Sequence, residues 1–222
     1  MYTGPHTIND GLVFGYDTGY GVSDNNTATR HSKGEPTPFT PNTRSATESL
    51  LDLTGNSTID VSNVSFDSNA QIGFSSSGDK FLLETQFDVS VSELSFEVIF
   101  KGIRTSDFGY IVHNNQINAS TGPSFLTIGI NSSGQLYGSL AGGYTSHLFG
   151  AEETNLKFNH LIVVWDGINQ ILYRNGDEVH RIALGGIRVD ALDPITAIGN
   201  SKDNFRRISG EIPIYKNYTK AL

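Results

Sequence analysis

The 222-residue chain contains no cysteine. That removes disulfides, thiolate metal centres and thiol catalysis together. Positive charge is scarce and dispersed. Lysine and arginine number 15 against 23 acidic residues, which gives a formal net charge of −8 and a pI near 5.1. The only adjacent basic pair is Arg206-Arg207. Binding phosphates requires clustered Lys and Arg, so nucleic acid is not an expected partner. No apolar run approaches the length of a membrane span. The opening Met1-Tyr2-Thr3-Gly4-Pro5-His6 has neither the basic region nor the apolar stretch of a signal peptide. A membrane is not an expected partner either, and synthesis in a cytoplasm is expected.

Helical periodicity is hard to find. Short apolar runs alternate with Gly, Ser, Asn and Thr, as in a β-sandwich or barrel. In Leu94-Ser95-Phe96-Glu97-Val98-Ile99-Phe100-Lys101, Leu94, Phe96, Val98 and Phe100 share one face, while Ser95, Glu97 and Lys101 share the other. Ile99 is the exception on the wet face. Phe125 to Ile130 and Gln135 to Leu140 read as strands around the turn Asn131-Ser132-Ser133-Gly134. His160-Leu161-Ile162-Val163-Val164-Trp165 is apolar after its first residue and predicts a central strand covered on both faces. Ile171 to Arg174 and Glu178 to Ile182 flank Asn175-Gly176, the preferred pair of a type I′ hairpin turn. Further strands are predicted at Leu12 to Tyr16, Gln71 to Phe74, Lys80 to Leu83, Ile195 to Ile198 and Ile208 to Tyr215.

Residues 24–48 differ in kind. Pro36, Pro38 and Pro41 stand among polar residues there, with Phe39 nearly the only large apolar side chain. This predicts a long surface loop or arm, and loops of that length are usually functional or mobile. A chain this long buries about 70–75% of its unfolded surface when folded. We expect one domain over residues 1–222, with an extended N-terminal segment 1–11 and the arm 24–48.

The order of motifs resembles a known family. Phe158 to Gly167, ending in Asp166-Gly167 and followed by Leu172-Tyr173-Arg174-Asn175-Gly176, resembles the signature hairpin of laminin-G-like domains. Ile198-Gly199-Asn200, Ile208-Ser209-Gly210-Glu211-Ile212 and Ile214-Tyr215-Lys216-Asn217 are similar to that family's closing segment. Leu51 to Asn56 and Phe74 to Lys80 resemble its upstream turns. The opening Gly4-Pro5, then Asp10-Gly11-Leu12-Val13-Phe14-Gly15-Tyr16-Asp17, is similar to concanavalin A-like proteins encoded by tailed phages. The resemblance implies an all-β, concanavalin A-like jelly-roll sandwich of two antiparallel sheets.

The same fold hosts glucanases, which place carboxylates on alternate positions of one strand to supply acid and nucleophile. Here no two acidic residues are separated by two positions. Glu93 and Glu97 share a strand face but stand about 13 Å apart along it. No Gly-x-Ser-x-Gly elbow, P-loop or dinucleotide fingerprint is present. The six histidines are dispersed without metal-ligand spacing. An enzyme is therefore not expected. No cofactor is expected, with calcium left open because some laminin-G-like domains hold Ca²⁺ through loop oxygens. Asp24-Asn25-Asn26, Asp166 and Asp203-Asn204 are the residues that could contribute.

Two functions remain. The resemblance implies a non-enzymatic structural protein on a phage virion, as capsid decoration or a fibre component. It would act through contacts with other virion proteins, or with itself as a homo-oligomer, and Tyr2, Pro36, Pro38, Phe39 and Pro41 are the expected assembly contacts. The alternative is a glycan-binding lectin or adhesin for a cell-surface glycan. Its candidate residues are Tyr144 and His147, in the loop Gly142 to His147, with Tyr137 nearby in sequence.

Overall fold

The computed structural model describes residues 10–17, 50, 52–54, 57, 59, 65–66, 72–74, 79–84, 91–114, 125–140, 147–150, 157–184, 195–201 and 204–222. Every regular element among them is a strand. The strands are β1 (Leu12–Asp17), β2 (Ser65–Phe66), β3 (Ile72–Phe74), β4 (Phe81–Glu84), β5 (Leu94–Arg104), β6 (Gly109–Asn114), β7 (Leu126–Ile130), β8 (Leu136–Leu140), β9 (His147–Leu148), β10 (Asn159–Trp165), β11 (Asn169–Arg174), β12 (Asp177–Ala183), β13 (Ile195–Ile198) and β14 (Ile208–Tyr218).

They form two antiparallel sheets. The eight-stranded sheet runs β12-β11-β10-β5-β14-β3-β2, with β1 also paired to β14, and the six-stranded sheet runs β4-β13-β6-β7-β8-β9. Alternation along each strand sends one set of side chains between the sheets. From the larger sheet these are Phe14, Phe96, Val98, Phe100, Leu161, Val163, Leu172, Ile212 and Tyr215; from the smaller, Val112, Ile128, Ile130, Leu136, Leu140 and Ile198. All are buried. The architecture is the expected all-β, concanavalin A-like sandwich.

The hairpin between β11 and β12 turns at Asn175 and Gly176 with φ of 55° and 93°, the double positive φ of a type I′ turn. β10 lies between β11 and β5, so the continuous apolar run is indeed central. On the face turned away from the core its Val164 is buried and its Ile162 half-buried. β14 is longer than the sequence pattern predicts, because its last residues pair with β1 and the start of β5. β6 was not predicted at all. Its register slips between Tyr110 and Val112, and a bulge there breaks the period-two pattern that reveals strands.

Asp52 ties the segment after the arm to β1. Its carboxylate accepts the backbone N–H of Gly15 at 3.1 Å, of Thr54 at 3.2 Å and of Ser57 at 3.1 Å, and the Thr54 hydroxyl at 2.5 Å. The Leu53 N–H also donates to the Gly15 carbonyl at 2.7 Å. Removing a buried acceptor strands its donors. We expect Asp52→Ala to lower unfolding stability by about 2–3 kcal/mol. Urea denaturation checks this; a loss under about 0.5 kcal/mol would mean the turn is held by other contacts.

Candidate functional site

Val112, Ile128 and Ile198 point into the core. A Cβ built on Gly138 would meet Leu172, Phe149 and Val163, so position 138 also faces inward. The paired registers then place Leu82, Ala197, His113, Thr127, Gly129, Tyr137, Ser139 and Leu148 on the outer face of the six-stranded sheet. Tyr110 pairs with Gly129 and joins them. In a regular strand Tyr110 and His113, three apart, would point to opposite sides. The β6 bulge brings them to the same side, where their rings stack at 4.2 Å and 23°.

The floor of this face is made of small residues. Gly129 has no side chain, and a Cβ there would lie 3.2 Å from the Tyr137 ring and 2.5 Å from the Gly109 carbonyl. The Tyr137 ring therefore lies over Gly129. Its phenol hydrogen-bonds with Tyr110. Burial, reinforced by Tyr110, pushes the Tyr137 phenol well above its ordinary pKa, against the pull of the Arg206 charge. The Tyr137 phenol stays neutral.

Arg206 comes from the loop between β13 and β14. The described residues of this loop, 199–201 and 204–207, make a set of hydrogen bonds. Gly199 N–H donates to the Ile111 carbonyl at 2.8 Å. The Ser201 hydroxyl oxygen accepts the N–H of Phe205 at 2.9 Å and of Arg206 at 3.1 Å. Asn204, at a φ of 67°, accepts the Lys80 ammonium at 2.7 Å through its side-chain oxygen. Its carbonyl accepts Arg207 Nε at 2.9 Å. The Arg206 carbonyl accepts Tyr110 N–H at 2.9 Å, which joins the loop to the bulged strand. Phe205 is 71% exposed. The Arg206 guanidinium lies over Phe108, 4.9 Å from the ring centre, a cation–π contact.

The residues expected to bind glycan are not gathered in one place. Tyr137 and His147 sit on neighbouring strands but on opposite faces, since His147 pairs with the inward-facing Gly138. His147 instead stacks on His180 of β12 at 4.4 Å and 17°. β9 and β12 are the edges of their sheets, so this pair bridges the lateral opening of the sandwich. Tyr144 lies outside the described residues, as do Tyr2, Pro36, Pro38, Phe39 and Pro41. Phe205, Arg206 and Phe108 were missed. The adjacent arginines were visible in the sequence, but nothing local showed that the loop would face Tyr110 and Tyr137.

The calcium donors can be tested in part. Asp166 Oδ1 accepts the N–H groups of Ile168 and Asn169 at 2.9 and 2.6 Å, and Oδ2 faces Arg181 at 3.4 Å. These contacts hold its carboxyl below the usual range, the Asn169 bonds first. The Asn204 oxygen already faces the Lys80 ammonium. Among the described residues no group of three or more His, Cys, Asp or Glu is placed to hold a metal. Asp24, Asn25, Asn26 and Asp203 lie outside the described residues.

A second polar cluster occupies the outer face of the eight-stranded sheet. Glu97 meets His160 Nε2 at 2.9 Å through Oε1 and accepts the Tyr218 hydroxyl at 2.9 Å through Oε2, with the Lys216 ammonium at 3.9 Å. Burial raises the Glu97 pKa, but the His160 bond, the Lys216 charge and the Tyr218 bond outweigh it, and the net shift is downward. Glu93, the other acid on this strand face, accepts Ala221 N–H at 3.0 Å. The two carboxylates thus serve separate contacts and form no acid–nucleophile pair.

Both clusters have pH signatures. Unfolded histidines titrate near 6.5. In the fold, burial and then His180 lower the His147 pKa. The unfolded chain therefore binds more protons as pH falls below about 6.5, and acid weakens the fold. We expect His147→Phe, which keeps a ring in the stack, to flatten the fall in urea midpoint between pH 7 and 5. An unchanged slope would clear the pair of this role. Glu97 has the opposite sign of charge but the same direction of effect: its depressed pKa contributes stability above about pH 4.3, lost as pH falls through the lower folded value. Glu97→Gln should cost about 1–2 kcal/mol at pH 7 and converge on the parent near pH 3, as followed by the same denaturation.

The comparisons with known proteins fit this geometry. The family model described as the concanavalin A-like lectin/glucanases superfamily matches residues 54–222. No relative is found among curated protein sequences. Among solved structures, the receptor binding domain of botulinum neurotoxin D is similar with a TM-score of 0.65 at 17% identity, covering 97% of this chain and 51% of that one. Trypanosoma rangeli sialidase in complex with 2,3-difluorosialic acid is similar with a TM-score of 0.64 at 11% identity, covering 96% of this chain and 31% of that one. At these identities the likeness is one of fold, and this chain spans from a third to a half of the length of those structures. Two sheets, their strand order and the matched residues together make this chain a member of the concanavalin A-like lectin/glucanase superfamily.

Proposed function

We propose that this chain is a non-catalytic carbohydrate-binding module whose contact surface is the outer face of the six-stranded sheet together with residues 204–207. One observation carries the reading: Phe205 is 71% exposed on a loop held by its own hydrogen bonds, beside the Phe108–Arg206 pair. A single exposed apolar side chain is ordinary. An exposed aromatic ring on a hydrogen-bonded backbone, next to polar groups, is the arrangement a sugar needs, with apolar area for the ring's C–H face and donors for its hydroxyls. Superfamily membership supports it. So do the names of the structural neighbours, a toxin's receptor binding domain and a sialidase in complex with sialic acid, although those words describe those proteins. Non-catalytic action is supported by the described carboxylates, none of which forms a pair on the proposed face.

A virion role is supported by the sequence resemblance to phage-encoded proteins, and its expected contacts lie outside the described residues. A glycan-binding module on a particle surface would serve host attachment and would satisfy both readings.

A glycan array probed with the full chain, followed by calorimetry on the best ligand, tests the proposal. We expect Phe205→Ala to weaken binding about tenfold, the loss of about 1.4 kcal/mol, with an unchanged melting temperature. Binding that survives the substitution intact would move the site elsewhere, and an array without any ligand would sink the proposal.

A further inference from the structure

Arg206 is set apart from the other described arginines. Arg104 donates to the carbonyls of Ser106, Asp107 and Ser132. Arg174 donates to Asn159, Arg181 to Glu178 and Asp166, and Arg207 to the Asn204 carbonyl. The Arg206 guanidinium makes no hydrogen bond and no ion pair among the described residues, and its Nε is buried without an acceptor. A buried donor on a cation is costly to leave unmet. In a chain with 23 acidic residues, an acid partner would have been easy to supply. None is described on this face, where the side chains are Leu82, Ala197, Tyr110, His113, Thr127, Tyr137, Ser139 and Leu148.

The geometry also limits what can meet the guanidinium. Its guanidinium carbon lies 4.9 Å from the centre of the Phe108 ring, so the ring covers that side. Its terminal Nη1–Nη2 edge, unlike the buried Nε, is left to act, and such an edge matches a planar or tetrahedral oxyanion with two parallel hydrogen bonds. The Arg206 charge acts on the Tyr137 phenol, and the Arg206 carbonyl accepts the Tyr110 N–H at 2.9 Å. Phe205 is the next residue along the same pinned loop.

We propose that Arg206 anchors an anion subsite that takes the carboxylate or sulfate of an acidic sugar residue. This rests on the carbohydrate-binding reading and narrows it to acidic glycans. The oxyanion pairs with the Arg206 edge while Phe205 supplies the apolar surface for a sugar ring.

The test is an array of matched glycans, each present in neutral, carboxylate-bearing and sulfate-bearing form, with calorimetry on the strongest matched set at constant ionic strength. The Arg206 Nε–H resonance of the labelled chain is followed during each titration. We expect the acidic member to bind at least tenfold more tightly than its neutral counterpart and to shift that resonance. Preference for carboxylate or for sulfate identifies the source of the charge. Arg206→Gln should abolish the preference, and Arg206→Lys should restore only part of it, because an ammonium lacks the two-pronged edge. Equal affinity for neutral and acidic members overturns the subsite and leaves the carbohydrate reading standing. An array with no ligand of any kind overturns both. If acetate or sulfate alone shifts the resonance at the same concentration as the glycan, the sugar plays no part and the proposal fails. The direct resonance readout on the unmodified chain decides the matter even if a variant misfolds.

Discussion

Strand β14 is hydrogen-bonded along its length to β5, and its other edge takes β3 at Gly210 and Glu211 and β1 from Ile214 to Tyr218. Most of the larger sheet is therefore assembled on one ladder. The two backbones approach closely where Gly102 and Gly210 pair, since a Cβ on Gly210 would lie 2.1 Å from the Lys101 carbonyl oxygen. No other residue fits that approach without moving the strands apart. The same ladder sends Phe96, Val98, Phe100, Ile212 and Tyr215 inward and sets Glu97 beside Lys216 and Tyr218 outside. Tyr16 secures it from β1, its hydroxyl donating to the Ile212 carbonyl at 3.0 Å. Residues nearly two hundred positions apart in sequence thus share one strand pairing.

The candidate site inherits its geometry from that ladder. The loop 199–207 runs directly into β14, and its backbone joins the start of β6 through Arg206 and Tyr110, and the β5–β6 turn through Arg207 and Thr105. The backbone positions of Phe205 and Arg206 follow from these bonds. The two polar clusters of the molecule then contrast in kind. Glu97 is half-buried and has His160, Tyr218 and Lys216 around it, so its charge is balanced within the fold. Arg206 is half-buried and has only an aromatic face beneath it. Full satisfaction of a buried charge is what a structural role requires; a charge left open is better suited to a ligand.

Much of the fold was legible in the residues. Strict alternation in Leu94 to Lys101, the unbroken apolar run after His160 and the Asn175-Gly176 turn each carry local physics that survives into the structure. Where local physics was disrupted, reading failed. β6 hid behind its bulge, and β9 is two residues long, too short to show any period. Tyr137 and His147 are close in sequence and so read as one group. Strand pleat puts them on opposite sides, and no composition-based argument can see which side is the core.

The sequence by itself determined the class of protein: no cysteine chemistry, no basic surface, no paired carboxylates on one strand, and a succession of short strands and turns that leads to a two-sheet sandwich. Those properties are either counts or interactions between near neighbours. Only the tertiary structure decided which residues meet. The stacking of His147 on His180 joins the edges of different sheets. The gathering of Phe108, Tyr110, Tyr137 and Arg206 depends on a bulge, a loop and three strands. Long-range register is set by packing of the whole core, since a slip of one residue would turn every side chain of a strand to the other face. The chemistry of the site is therefore a property of the assembled sheets.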